Sequence, residues 1–310
     1  MKFRVFDAHC DTAMELWMQR QPLYENTLAV SLRRAERLAG YAQFFAFCTV
    51  WVEQKASDEQ IFRCAEENFR AELERNSGRA ALCRTAAEAE QAMQAGKTAA
   101  FLSIEGAEAI GCDPGRLEEA YALGVRMIAP CWNRENALTG SCMTGGGLTA
   151  QGREFCRRAQ KLGILLDVSH MSETGFWDLA ELAERPIVAS HSNSKAVCGN
   201  VRNLTDRQFR AIAELGGAAG LNLYSAFLTD GRATMDDCLR HLEHWLELDG
   251  DGHICLGGDL DGCSELPEGF DALDSYAALA DHLQSHGMPE DVLRRLFSDS
   301  LMEVVKACIM

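Results

Sequence analysis

In the stretch FDAHCDT, His9 and Asp11 stand two residues apart. In extended chain such positions point to the same side, so an imidazole and a carboxylate can grip one cation together. Glu105 follows the apolar run AAFLSI and precedes Gly106, a residue suited to an abrupt turn, so its carboxylate is placed to bridge two ions. Glu108, nearby, is expected to face water or to cap a helix. LLDVSH and PIVASH put His170 and His191 at matching ends of two successive apolar runs, one βα unit apart, so both imidazoles should project from neighbouring strands into one space. In ICLGGDLDG either Asp259 or Asp261 presents a carboxylate at the end of the last such run, behind two glycines. Each motif alone has a plain structural reading: a capping aspartate, a hydrogen-bonded core histidine, a glycine-rich turn with self-bonded aspartates. Together His9, Asp11, Glu105, His170 and His191 offer nitrogen and oxygen donors and no thiolate. That set suits Zn²⁺, with Mn²⁺ or Fe²⁺ as less favoured substitutes. Five ligands exceed the three of a usual catalytic mononuclear site, which favours a pair of ions roughly 3.5 to 4 Å apart sharing Glu105.

Nearly all of these residues close a run of apolar and β-branched residues. The runs are Phe3 to Ala8, Phe44 to Val50, Ala99 to Ile104, Met127 to Pro130, Ile164 to Val168, Ile187 to Ser190, Ala218 to Leu223 and Ile254 to Leu256. Between them lie helix-length segments: Asp58 to Arg75, Thr149 to Leu162, Ser172 to Ala183, Thr205 to Leu215, Met235 to Leu248 and Pro289 to Ala307. Ser57 with Gln60, and Thr205 with Gln208, have capping-box form. Eight strands with interleaved helices predict an α/β fold, a (β/α)₈ barrel with a C-terminal helical extension, and barrel chemistry sits at the carboxyl ends of strands. The same alternation also permits an open doubly wound sheet. No linker or repeat divides the chain, so residues 1–310 are expected to form one domain. His241 with His244 and His282 with His286 have helix-face spacing but no strand end beside them, and are expected to be solvated. Gly145-Gly146-Gly147 lacks the lysine and hydroxyl of a phosphate loop.

Composition narrows the partners. A net charge of −16 over 310 residues argues against nucleic acid or an anionic membrane surface. The longest apolar stretch, near Phe44 to Val52, is far below the roughly 20 residues of a membrane helix. No signal-peptide pattern precedes the first strand, so the expected address is the cytoplasm. The 13 cysteines include no C-x-x-C pair and mostly sit in apolar or helical stretches, as reduced core thiols would.

With H-x-D at His9, IEG around Glu105, GLT-x-x-GR leading to LLDVSHMS, PIVASHS, VRN at Val201 to Asn203, and GGDLDG, the chain resembles the membrane (renal) dipeptidase family within the amidohydrolase group. The likeness spans most of the chain. It implies that His9, Asp11 and Glu105 hold one zinc and Glu105, His170 and His191 the other. It implies further that Arg202 contacts the substrate's terminal carboxylate and that Asp259 handles protons. The implied reaction is hydrolysis of a dipeptide's amide bond, including dipeptides with a C-terminal D-residue, by a metal-bridging hydroxide; a homodimer is a further expectation. The family's mammalian dipeptidases carry a substrate-polarising histidine in the loop after the fourth strand. Here that loop reads APCWNREN, with Trp132 at the matching place, so Asn133 or the metal must orient the carbonyl. Trp132, Asn133 and Tyr224 are expected around the substrate. The rival readings are another two-metal hydrolysis, of a lactone, phosphoester or cyclic amide, and a non-catalytic zinc scaffold.

Overall fold

Nine strands form one all-parallel sheet in the computed structural model, which describes residues 4–52 and 55–309. They are β1 (Val5–Cys10), β2 (Tyr41–Phe47), β3 (Ala80–Leu82), β4 (Thr98–Glu105), β5 (Val125–Ala129), β6 (Leu165–Asp167), β7 (Ile187–Ala189), β8 (Ala218–Leu221) and β9 (Ile254–Leu256). The order β2-β1-β9-β8-β7-β6-β5-β4 closes on itself because β2 also pairs with β4, from Ala42↔Ala99 to Phe47↔Ile104. The result is a closed eight-stranded (β/α)₈ barrel, and the open doubly wound sheet is excluded. The additional strand β3 pairs with Thr98 to Ala100 at the start of β4, before β5 takes over that edge from Leu102. The sequence reading missed β3 because three residues carry no periodicity.

Alternation along the strands sorts side chains into two apolar sets. Phe6, Phe44, Phe101, Met127, Leu165, Val188, Ala218 and Cys255, one from each barrel strand, fill the interior with Leu301 and Val305 of the last helix, Ser300–Cys308. Phe6, Phe44 and Phe101 stack with ring centroids 4.9 to 5.7 Å apart. Truncating such a ring to Ala costs about 3–5 kcal/mol, so this layer fixes the barrel's radius beneath the mouth. The other set, including Phe45, Leu102, Ile128, Leu166 and Leu256, faces the surrounding helices.

Some of the expected boundaries shift. Phe3 lies outside the described residues. β2 begins earlier, at Tyr41, and stops at Phe47, where its pairing with β4 ends. The helix expected over Pro289 to Ala307 runs without interruption from Glu290 to Cys308 and widens to a π-helical stretch over Arg295–Asp299, which packs against β1 and β9 with Leu296 and Phe297 buried. Helix Asp58–Arg75 has the expected bounds, and both capping boxes form. Among the described residues no helix is long and apolar enough to cross a membrane.

Candidate metal centre

At the carboxyl ends of the strands His9, Asp11, Glu105, His170 and His191 converge, each at most 5% exposed. His9 reaches the mouth through an irregularity: Asp7 to Cys10 on β1 faces only Gln43 to Phe45 on β2, so β1 carries an additional residue there. Such a bulge re-aims a side chain. Glu105 is the last residue of β4 and lies on the same side as Phe101, two turns of the pleat below it. His170 lies three residues past the end of β6, and His191 two residues past the end of β7.

Glu105 stands between two ligand groups. Its Oε2 lies 3.7 Å from His9 Nε2, and its Oε1 lies 2.7 Å from His170 Nε2 and 3.3 Å from His191 Nε2. His9 Nε2 is 3.4 Å from Asp11 Oδ2 and 3.8 Å from Asp259 Oδ1. In each of the sets His9–Asp11–Glu105, Glu105–His170–His191 and His9–His191–Asp259, one donor atom per residue lies within 4.8 Å of the others.

These residues suit a cation on three grounds. His9 Nε2 is buried and has no hydrogen-bond partner. His170 Nδ1 is 2.9 Å from Asn133 Oδ1, and His191 Nδ1 is 2.6 Å from Ser190 Oγ, whose own hydroxyl donates to Asp167 Oδ2 at 2.5 Å. Both rings therefore carry their proton on Nδ1 and aim Nε2 lone pairs, 3.0 Å apart, at one another, an arrangement that a shared cation relieves. The third ground is charge: Asp11, Glu105 and Asp259 crowd a dry site where carboxylates repel.

The titration pattern follows. Burial opposes a charge on His9, but Glu105, Asp11 and Asp259 outweigh it and push its pKa up to about 10. His170 is pushed down to about 4 by burial and then by the Arg202 guanidinium; His191 is lowered by burial and by His9. Burial raises Asp11, whereas Glu105 lies well below the carboxylate range because His9 and His170 overcome its desolvation.

Asp259 and Asp261, undivided by the spacing of GGDLDG itself, separate here. Both have left-handed backbone, with φ of 55° and 68°. Asp261 accepts from Thr12 Oγ1 and the Ala29 N–H, each at 2.6 Å, and from the Val30 N–H at 3.3 Å, which ties three chain segments together. Asp259 accepts one bond, from Asn222 Nδ2 at 3.0 Å, and turns Oδ1 toward His9. Gly257 is required because a Cβ there would lie 1.7 Å from the Ser190 carbonyl, and at Gly262 one would lie 2.0 Å from Asp11 Oδ2.

Above the cluster opens a cleft of ≈ 710 Å³, lined by Arg202, Trp132, Asn133 and Tyr224 among others. Arg202 is 5% exposed; Nη1 donates to the Ser169 carbonyl, and Nη2 lies 3.1 Å from His170 Nε2. Asn133 spends its Oδ1 on His170 and so orients that ring. Two expectations need correction. Glu108, expected to face water or cap a helix, is half-buried in the first turn of the short helix Ala107–Ile110, which Gly106 caps; one of its oxygens has no partner, and desolvation raises its pKa. His241 is not solvated: it is wholly buried, accepts from the Ser194 N–H at 3.1 Å and faces the Leu228 carbonyl at 3.0 Å.

Sequence reasoning passed over the buried aspartates behind the ligands. Asp167 accepts from Ser169 and Ser190, and its ionised form is favoured by His191 against the cost of burial. Asp7 accepts from the His9 and Gly258 N–H groups and from the Tyr276 hydroxyl. The available signal was an aspartate inside an apolar strand, two or three residues before a histidine, in both FDAH and LLDVSH.

Comparison with known proteins identifies the family and the fold. The family model described as membrane dipeptidase, peptidase family M19, matches residues 1–308. A solved dipeptidase of family M19 is 31% identical, with a TM-score of 0.90, covering 100% of this chain and 99% of that one. A metallopeptidase from Rhodobacter sphaeroides, solved with a phosphinate mimic of the dipeptide L-Ala-D-Ala, is 30% identical, with a TM-score of 0.89 and 99% of each chain covered. An uncharacterized protein in the pqqA 5′ region of Klebsiella pneumoniae is 38% identical over 244 residues, 74% of this chain and 90% of that protein.

Proposed function

The chain belongs to the membrane dipeptidase family, peptidase family M19, and is a metallo-dipeptidase; from that premise we propose that it holds two zinc ions and cleaves dipeptides, including those with a C-terminal D-residue. The observation that carries the two-ion reading is Glu105, which presents one oxygen to His9 and the other to His170 and His191. His9, Asp11 and Glu105 would hold one ion, Glu105, His170 and His191 the other. Bound there, the ions would supply Lewis-acid polarisation of the amide carbonyl and a water made acidic enough to attack near neutrality.

The chain's own side chains do the rest. Arg202, at the cleft wall beside His170, pairs with the substrate's free carboxylate, which excludes longer peptides extended at that end. Asp11, Glu15 and Asp259 line the same cleft and give the ammonium end a negative environment, so the pocket is polarised along the dipeptide. Asp259, held by a single bond from Asn222, takes the proton from the attacking water and returns it to the leaving amine. Asn133 and Ser190 hold the His170 and His191 rings in register. Trp132 and Tyr224 form apolar wall. A reducing, cytoplasmic compartment goes with this reading, since all thirteen cysteines are free and most are buried.

Support for the D-residue comes from the relative crystallised with the L-Ala-D-Ala mimic. The test is to strip the protein of metal, restore zinc, and follow hydrolysis of L,L- and L,D-dipeptides alongside a lactone and a phosphotriester. Turnover of L,D-dipeptides with about two zinc ions bound at the barrel mouth is expected. Zinc-dependent turnover confined to the lactone or phosphotriester would overturn the substrate assignment.

A further inference from the structure

Outside the barrel, helices Met235–Glu247 and Tyr276–Ser285 pack against each other, and three side chains meet across their seam. Asp236 comes from the first turn of one, His282 from the last turn of the other, and His286 from the residue that ends it. A donor atom from each lies within 4.8 Å of the other two. The four-residue spacing stacks the imidazoles on one face, with centroids 4.3 Å apart. His286 Nδ1 lies 2.9 Å from the His282 carbonyl oxygen, which can only accept; the proton therefore sits on Nδ1 and Nε2 keeps its lone pair. His282 Nε2 is 2.8 Å from Asp236 Oδ1, yet it is shielded from water and makes no well-directed hydrogen bond. A simple ion pair would direct an N–H at the oxygen and would need one histidine rather than two.

We propose that Asp236, His282 and His286 form a separate site for a divalent transition cation of the zinc class, which ties these two helices together. Two imidazoles and one carboxylate make a zinc-type donor set, whereas calcium and magnesium select oxygen alone. Partial exposure of the site leaves a fourth position for water, and a net charge of −16 favours cation uptake. The segment joining the two helices carries β9 and the cleft residues Asp259, Gly262 and Cys263. Its far portion is already anchored near the same helix start, where the Glu268 N–H donates to the Ala233 carbonyl at 2.8 Å. A cation at the seam ties the start of one helix to the end of the other, without touching the reacting groups.

The experiment titrates zinc into metal-free wild-type protein and the His282→Gln/His286→Gln double variant against a chromophoric chelator, with Tm measured at each loading. The wild type should bind about one ion per chain more than the variant and gain a further rise in Tm on filling that site, while both hydrolyse the same dipeptide at equal rates. Equal zinc stoichiometry in the two proteins overturns the proposal. Asp236→Asn, at a side chain 64% exposed, guards against loss of fold in the double variant. It should weaken the additional site and leave the barrel-mouth ions in place; unchanged affinity for every ion would also overturn the proposal.

Discussion

The barrel mouth and the seam between helices Met235–Glu247 and Tyr276–Ser285 both gather imidazoles beside carboxylates, but they do so in different solvents. At the mouth His9, Asp11, Glu105, His170 and His191 are nearly sealed from water, and the far nitrogens of His170 and His191 are pinned by Asn133 and by Ser190 backed with Asp167. At the seam Asp236 is 64% exposed and only backbone and Ser285 hold His286. Residue type is therefore a poor guide to what a histidine cluster is worth. Burial decides it, because a desolvated charge must be paired or neutralised, whereas a half-exposed one can be left to water.

The contrast can be broken most forcefully at Glu105. Glu105→Gln removes the one carboxylate that faces both ligand groups, and kcat/KM for a dipeptide should fall by on the order of 10³ or more, with loss of bound zinc by elemental analysis. Retained zinc and activity would mean that the mouth does not depend on the carboxylate shared by its two ligand groups. Next in size is Arg202→Met, which should lower kcat/KM for dipeptides by roughly 10- to 100-fold, mostly through KM, as expected for losing a charged hydrogen bond. Dipeptide amides, which lack the carboxylate, should be nearly indifferent; an equal loss on both substrates would make Arg202 a scaffold for His170 only.

Asp167→Asn sharpens the comparison at the level of support. It weakens the acceptor behind Ser190 and His191 and should reduce zinc affinity by roughly 10-fold, read by chelator competition, with kcat at saturating zinc largely kept. The smallest effect concerns protons. In the metal-free protein His9 keeps its proton up to about pH 10, while His170 has lost its own above about pH 4. Zinc must displace the His9 proton, so affinity at the mouth should increase as pH rises from 6.5 toward 10, with proton release measurable in weakly buffered solution. The same raised pKa stabilises the metal-free fold fully below pH 6.5, its unfolded value, and that contribution is lost as pH climbs through about 10. Zinc binding without proton release would contradict the assignment of the charge to His9.

Much of the site was legible because a barrel turns strand order into spatial order. His170 after LLDVS and His191 after PIVAS could be placed side by side from sequence, since consecutive parallel strands joined by one helix are neighbours. β3 was not legible, being three residues long, and neither was the π-helical stretch Arg295–Asp299 inside the helix expected over Pro289 to Ala307, because that stretch answers to packing on β1 and β9 rather than to local pattern. His241 and His282 share helix-face spacing with partners four or three residues away, yet one is wholly buried between Ser194 and Leu228 and the other sits half-covered at a seam.

Sequence alone determined the donor types, their positions at strand ends, and hence the class of chemistry, because these depend on alternation and on residue identity. Only the tertiary structure decided which carboxylate faces His9 and which serves as a tie: Asp259 and Asp261 are equivalent in GGDLDG until Thr12, Ala29 and Val30 arrive from elsewhere in the chain to claim one of them. Local patterning sets where a side chain can point, and long-range hydrogen bonding and burial set what it is left free to do.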